Sequence, residues 1–122
     1  MNEMILTDQD LMQPEHFPVT VSFGLYEDAR PGLVSVVLDA AKGIGYDYND
    51  KGIRFWDQLD EYDKAHEEQF DVECYLLEDS CKLTYAEFYH YMSTACRRFE
   101  LRFPEVIDEL EEALGAYRES FL

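Results

Sequence analysis

From Phe17 onward apolar and polar residues alternate. Phe17, Val19, Val21, Phe23 and Leu25 share one face, with Thr20, Ser22 and Gly24 between them. Period two predicts a strand, and Pro18, which has no amide proton for a ladder, places it at a sheet edge. Residues 1–16 are weakly patterned and predict a short helix or a weakly ordered arm. In DARPGLVSVVLDAAKG, Asp28 can cap a helix, Pro31 suits its first turn and Gly43 suits its end. Leu33, Val34, Val36, Val37, Leu38, Ala40 and Ala41 make this helix apolar nearly all round, so it should be largely buried. Its β-branched residues also fit a strand. Ile53 to Trp56 predicts a short strand, and Asp57 to Asp71 a long polar connection. In Asp71 to Glu78, Val72, Cys74 and Leu76 oppose Tyr75 and Leu77, as in an interior strand, and Glu78-Asp79-Ser80 reads as a turn.

Helices follow. Thr84-Tyr-Ala-Glu87 fits a capping box, in which the threonine hydroxyl takes a first-turn amide proton and the glutamate reaches back to the cap amide. Tyr85, Phe88, Tyr89, Met92, Cys96 and Phe99 continue as a helical stripe, closed by Arg97 and Arg98 at the negative end of the helix dipole. Pro104 opens a last helix with Val106, Ile107, Leu110, Leu114 and Tyr117 as its apolar stripe, and Glu105 and Asp108 in its first turn. The sum is an α+β fold. One small domain spans residues 1–122, with a buried helix, a small antiparallel sheet and two C-terminal amphipathic helices.

Charge changes the picture. Among 122 residues, 27 Asp and Glu face 10 Lys and Arg, a formal net charge of −17. Such a surface repels nucleic-acid phosphates and anionic membranes and attracts basic proteins. No stretch approaches the ~20 apolar residues of a membrane span. MNEMILTDQD lacks the basic start and apolar core of a secretory signal, so a cytoplasmic location is expected. Cys74, Cys81 and Cys96 are odd in number and lack C-x-x-C spacing, as expected of reduced core thiols.

Candidate chemistry is sparse. GIGYDYNDKG, Gly43 to Gly52, resembles a calcium loop until it is counted from Asp47. Position five is then Lys51 and position twelve Gln58, where an EF-hand needs an oxygen ligand and a closing carboxylate. The glycines serve geometry instead, Gly43 as a helix cap and Gly52 as a tight turn, and Asp47, Tyr48 and Asp50 should point outward. His16, His66 and His90 are scattered. No zinc spacing, phosphate-binding glycine loop or nucleophile motif occurs, so neither a metal, a cofactor nor an enzyme is expected. Instead an acidic run stands out: Asp57, Asp60, Glu61, Asp63, Glu67, Glu68, Asp71, Glu73, Glu78 and Asp79, opposed only by Lys64. Trp56, Tyr62, Phe70 and Tyr75 are interleaved. Acids beside exposed rings suit recognition of a basic protein, whereas the same run over inward-pointing rings is a solvated loop. Trp56 and Phe70 are expected in the core, which keeps the solvated-loop reading level with the first. A second run, Asp108, Glu109, Glu111 and Glu112, fits the solvated face of the last helix.

From Pro31 the order of features resembles the immunity proteins of bacterial contact-dependent growth inhibition (CDI) systems, in the group that protects against ribonuclease toxins. The likeness rests on a G-x-G-x-D turn (Gly43, Gly45, Asp47) and a strand with Phe70, Val72, Cys74 and Tyr75. After an acidic turn come a helix with Phe88, Ala95 and Cys96 and a Pro104-Glu105 helix start. It covers about three-quarters of the chain and does not extend to residues 1–30. The resemblance implies a non-enzymatic inhibitor, made in the cytoplasm of the toxin-producing cell. It would bind the C-terminal nuclease domain of its cognate toxin, a basic protein that cuts RNA, often tRNA, and cover its active site or RNA-binding surface. Residues expected at that interface are Asp47, Tyr48, Asp50, Asp57, Asp60, Glu61, Asp63, Glu67 and Glu68. Charge alone also fits an acidic mimic of nucleic acid that inhibits DNA-binding proteins, and paired carboxylates fit a small enzyme.

Overall fold

A computed structural model describes residues 3–27 and 32–122 of the chain. Its strands are β1 (Tyr46–Tyr48), β2 (Lys51–Phe55), β3 (Val72–Leu76) and β4 (Asp79–Leu83), and its helices α1 (Val19–Ser22), α2 (Leu33–Ala40), α3 (Glu61–His66), α4 (Tyr85–Arg102) and α5 (Ile107–Phe121). The strands form one antiparallel sheet in the order β1-β2-β3-β4. The predicted α+β class, with its small antiparallel sheet and two C-terminal helices, is the architecture observed.

Register decides which side chains share a face. Phe55, Val72 and Leu83 are cross-strand neighbours, as are Ile53, Cys74 and Cys81, and all six are buried. This inner face meets α1 and α4, and α5 packs in turn on α4 and α2. Phe23, Phe55, Phe88, Tyr117 and Phe121 interlock there, with ring centroids 4.9–5.9 Å apart. Burying one such ring stabilises the fold by roughly 1.5–3 kcal/mol. The capping box forms as expected: the Glu87 amide donates to Thr84 Oγ1 at 3.0 Å and the Thr84 amide to Glu87 Oε1 at 2.9 Å. α4 then runs beyond Arg97 and Arg98 to Arg102.

The predicted strand at Phe17–Leu25 is overturned. Thr20 N–H donates to Phe17 O and Val21 N–H to Pro18 O, so the segment winds into α1. Val19, Ser22 and Phe23 are buried while Val21 is only half-buried, the i, i+3, i+4 pattern of a helix face. Ser22 Oγ donates back to Pro18 O at 3.2 Å. A second correction concerns Gly52. It lies inside β2, paired with Asp47 and Tyr75, and the turn falls at Asn49 and Asp50, with φ of 51° and 63°. Positive φ at both central residues matches the twist of the flanking strands. The turn expected at Glu78-Asp79-Ser80 also shifts: Leu77, with φ 57°, begins the reversal, and Asp79 and Ser80 already belong to β4. The expected cap at Asp28 and first-turn Pro31 lie outside the described residues. Gly43 does end the helix region: at φ 74° it donates to Ala40 O while Ile44 donates to Asp39 O, the double bond of a left-handed C-cap.

Residues 3–16 are tied to α4. Ile5 and Leu6 are buried. Arg98 grips both Asp10 oxygens at 2.5 and 2.7 Å and the Ile5 carbonyl at 3.0 Å. The Tyr91 hydroxyl accepts the Met12 amide proton at 2.7 Å and meets His16 Nδ1 at 2.9 Å. Among the described residues no helix is long and apolar enough to cross a membrane.

Candidate functional site

The opposite face of the sheet carries two cross-strand rows. One is Asp47, Gly52, Tyr75 and Ser80; the other is Arg54, Glu73 and Lys82. The Tyr75 ring lies across Gly52, with its hydroxyl near the Asp47 carboxylate. Burial and that carboxylate together push the phenol well above its ordinary pKa. Arg54 bridges Glu73 at 2.6 Å and Glu67 at 2.7 Å. Its guanidinium and the Lys82 ammonium each sit 5.6 Å from the Phe70 ring centre. Trp56 meets Phe70 edge-on at 5.2 Å; Phe70 is buried as the sequence suggested, whereas Trp56 is only half-buried. A shallow cleft lined by Phe70, Asp71, Lys82 and Glu87 opens beside them.

At one end of the sheet stands the acidic segment. Gln58 Oε1 accepts the Gly45 amide proton at 2.9 Å and anchors its start to the sheet. Asp60 caps α3, accepting the Asp63 amide proton at 2.8 Å. Tyr62 is 70% exposed and stacks on His66 at 4.1 Å, and His66 Nδ1 donates to the Tyr62 carbonyl at 2.7 Å. Asp57, Asp60, Glu61 and Glu68 are exposed around this ring pair, and Asp63 is half-buried.

At the other end the two hairpin tips lie side by side, joined by Leu77 N–H to Asp50 O at 2.6 Å. Asp50, Glu78, Asp79, Tyr48 (40% exposed) and Leu77 (68% exposed) surround that bond. The five residues of β2 separate the two ends by roughly 15 Å.

The nine expected interface residues therefore divide. Asp57, Asp60, Glu61, Asp63 and Glu68 gather on and around α3. Tyr48 and Asp50 stand at the hairpin tips. Asp47 points outward as expected but lies beside Tyr75, and half-buried Glu67 is held by Arg54. Sequence reasoning passed over Arg54 and placed Leu77 in an interior strand, whereas it lies beyond β3 at the hairpin turn, 68% exposed. Arg54 falls on the outward positions of β2 opposite Glu73, which strand alternation alone could have shown. Leu77 carries no comparable signal, because its exposure depends on where the hairpin turns. Among the described residues, no three His, Cys, Asp or Glu side chains converge to hold a metal ion.

Residues 15–114 match a family model described as CDI immunity protein. The matched span takes in α1 and the Pro14–His16 turn's last residues, well before Pro31, as well as the sheet, α3 and α4. No curated protein and no solved structure matches the chain.

Proposed function

Because the chain belongs to the CDI immunity protein family, we propose that it neutralises a cognate toxin by binding that toxin's nuclease domain through the α3 surface. The observation that carries this reading is the set of exposed carboxylates around Tyr62: Asp57, Asp60, Glu61 and Glu68, with Lys64 the one cation in the segment. A nuclease that cuts RNA holds its substrate by cationic groups. Carboxylates presented on α3 and the residues flanking it occupy the places of the phosphates, and their field speeds encounter. Tyr62 supplies the apolar area that charge alone lacks, a flat ring of the kind that anchors interfaces. The inhibitor is stoichiometric and non-catalytic, and acts in the cytoplasm on an RNase or tRNase domain. An acidic mimic acting on DNA-binding proteins in general is the second reading; the exposed Tyr62, which a pure charge mimic does not need, favours a single partner.

The test is co-expression with the tagged C-terminal domain of the toxin encoded just upstream. A one-to-one complex that survives a high-salt wash and silences RNA cleavage is expected. Binding that salt abolishes, and that extends to unrelated basic proteins, would establish the mimic instead. For the surface, Glu61→Lys with Glu68→Lys is the informative pair, since Asp60 also caps α3 and its loss would disturb the helix. Association at low salt should slow by about tenfold or more. A rate equal to wild type moves the interface away from α3.

A further inference from the structure

Cys74 on β3 and Cys81 on β4 are direct cross-strand partners. Both side chains enter the inner face, Cys74 fully buried and Cys81 6% exposed, and both are free thiols. Directly paired residues of an antiparallel ladder have Cα atoms about 4.5–5.5 Å apart. That lies inside the roughly 4.4–6.8 Å span a disulfide accepts. Side by side on one face of the sheet, the two thiols are close enough to perturb each other's titration.

The partners are not equivalent. Cys74 sits in an interior strand, where the neighbouring Cys81 and burial hold its pKa well above the ordinary thiol value. Cys81 sits on the sheet-edge strand, and the neighbouring Cys74 thiol favours its thiolate. Cys96, alone on α4, has its pKa pushed up by burial.

We propose that Cys74 and Cys81 form a reversible dithiol–disulfide couple, with Cys81 the attacking thiol and a hydroperoxide the oxidant. The Cys81 thiolate attacks the distal oxygen of hydrogen peroxide. The O–O bond breaks, hydroxide leaves, and Cys81 becomes a sulfenic acid. Cys74 gives its proton to the hydroxide and attacks the Cys81 sulfur. The S–O bond breaks, and the departing oxygen leaves as water once protonated from solvent. In sum, two thiols and one peroxide give one disulfide and two waters. The sulfurs are oxidised and the peroxide oxygens reduced. Since the cysteines are already register partners, closure ties the edge strand to the sheet without a change of pairing.

The wild-type chain suffices for the test. It is treated with hydrogen peroxide, denatured in an alkylating reagent and digested with trypsin. Cys74 and Cys81 fall in one tryptic peptide, Ala65 to Lys82, apart from Cys96. That peptide should become two hydrogens lighter, take up no alkyl group, and regain two alkylatable thiols after dithiothreitol, while Cys96 is alkylated throughout. The proposal is overturned if the peptide keeps both thiols, if Cys96 is consumed first, or if the product is a sulfinic acid or a disulfide between two chains.

Discussion

At Gly52 the need is for an absent side chain. A Cβ there would collide with the Tyr46 carbonyl of β1 and with the Tyr75 ring, and the former is backbone that cannot turn aside. Gly52→Ala should therefore cost about 1–3 kcal/mol, read as a lower urea midpoint with unchanged slope. Tyr75 should also lose its place beside Asp47. At Thr84 the contribution comes from one hydroxyl: Thr84→Ala leaves the Glu87 amide without its partner and should cost about 1 kcal/mol in the same assay. Asp10 carries a pH signature. The Arg98 guanidinium holds its carboxyl down at about 2 against an ordinary value of 3.8. Because the folded value is the lower one, the stabilisation is present above the unfolded value. It is lost as pH falls from near 4 toward 2. In Asp10→Asn that segment of an acid-unfolding curve should flatten.

Between α4 and α5 the sign reverses. Glu100 meets Glu111 across the helix pair, and one Glu100 oxygen is buried without a partner. Burial first, and then the Glu111 carboxylate, raise Glu100 from 4.5 to about 7. A carboxyl raised on folding costs nothing while it is protonated in both states. The cost grows as pH climbs from about 4.5 to about 7 and stays constant above. Glu100→Gln should accordingly raise the melting temperature near pH 8 and leave it unchanged near pH 4. α4 and α5 were also the most legible elements. Thr84 and Glu87 act on neighbouring amides, so their meaning is local and survives any tertiary context. Residues 17–25 misled because Val19 and Phe23 stand four apart, a spacing that satisfies both a strand and a helix. The buried Ser22 and its bond to Pro18 break the tie, and neither shows in an alternating pattern. β1 is three residues at an edge, too short and too polar for periodicity, and the exposed Asp79, Ser80 and Lys82 hid β4. The acids of the candidate surface could be counted from sequence. That Arg54 withdraws Glu67, while Glu61 and Glu68 stay free of any such bridge to it, depends on contacts 13 and 19 residues away in sequence.

For the molecule as a whole the dominant quantity is the charge of −17. Folding brings these acids closer together, so the free chain is stabilised when they are screened. Raising salt from about 0.01 M to about 1 M shortens the screening length from about 30 Å to about 3 Å. The melting temperature by calorimetry should rise across that range even though the bridges of Arg54 and Arg98, and that of Arg102 to Glu3, weaken. A fall would mean that those bridges outweigh the crowd of carboxylates. The attachment of residues 3–16 to α4 adds a matter of timing. Asp10 and Arg98 are 88 residues apart, and ribosomes add about 5–20 residues per second. A growing chain thus carries Ile5, Leu6 and His16 for roughly 4 to 18 seconds before the helix that seats them exists. The seat of residues 3–16 is made only after α4 has emerged. For a member of the immunity family, molecules already finished when a toxin arrives are therefore competent several seconds ahead of those begun at that moment.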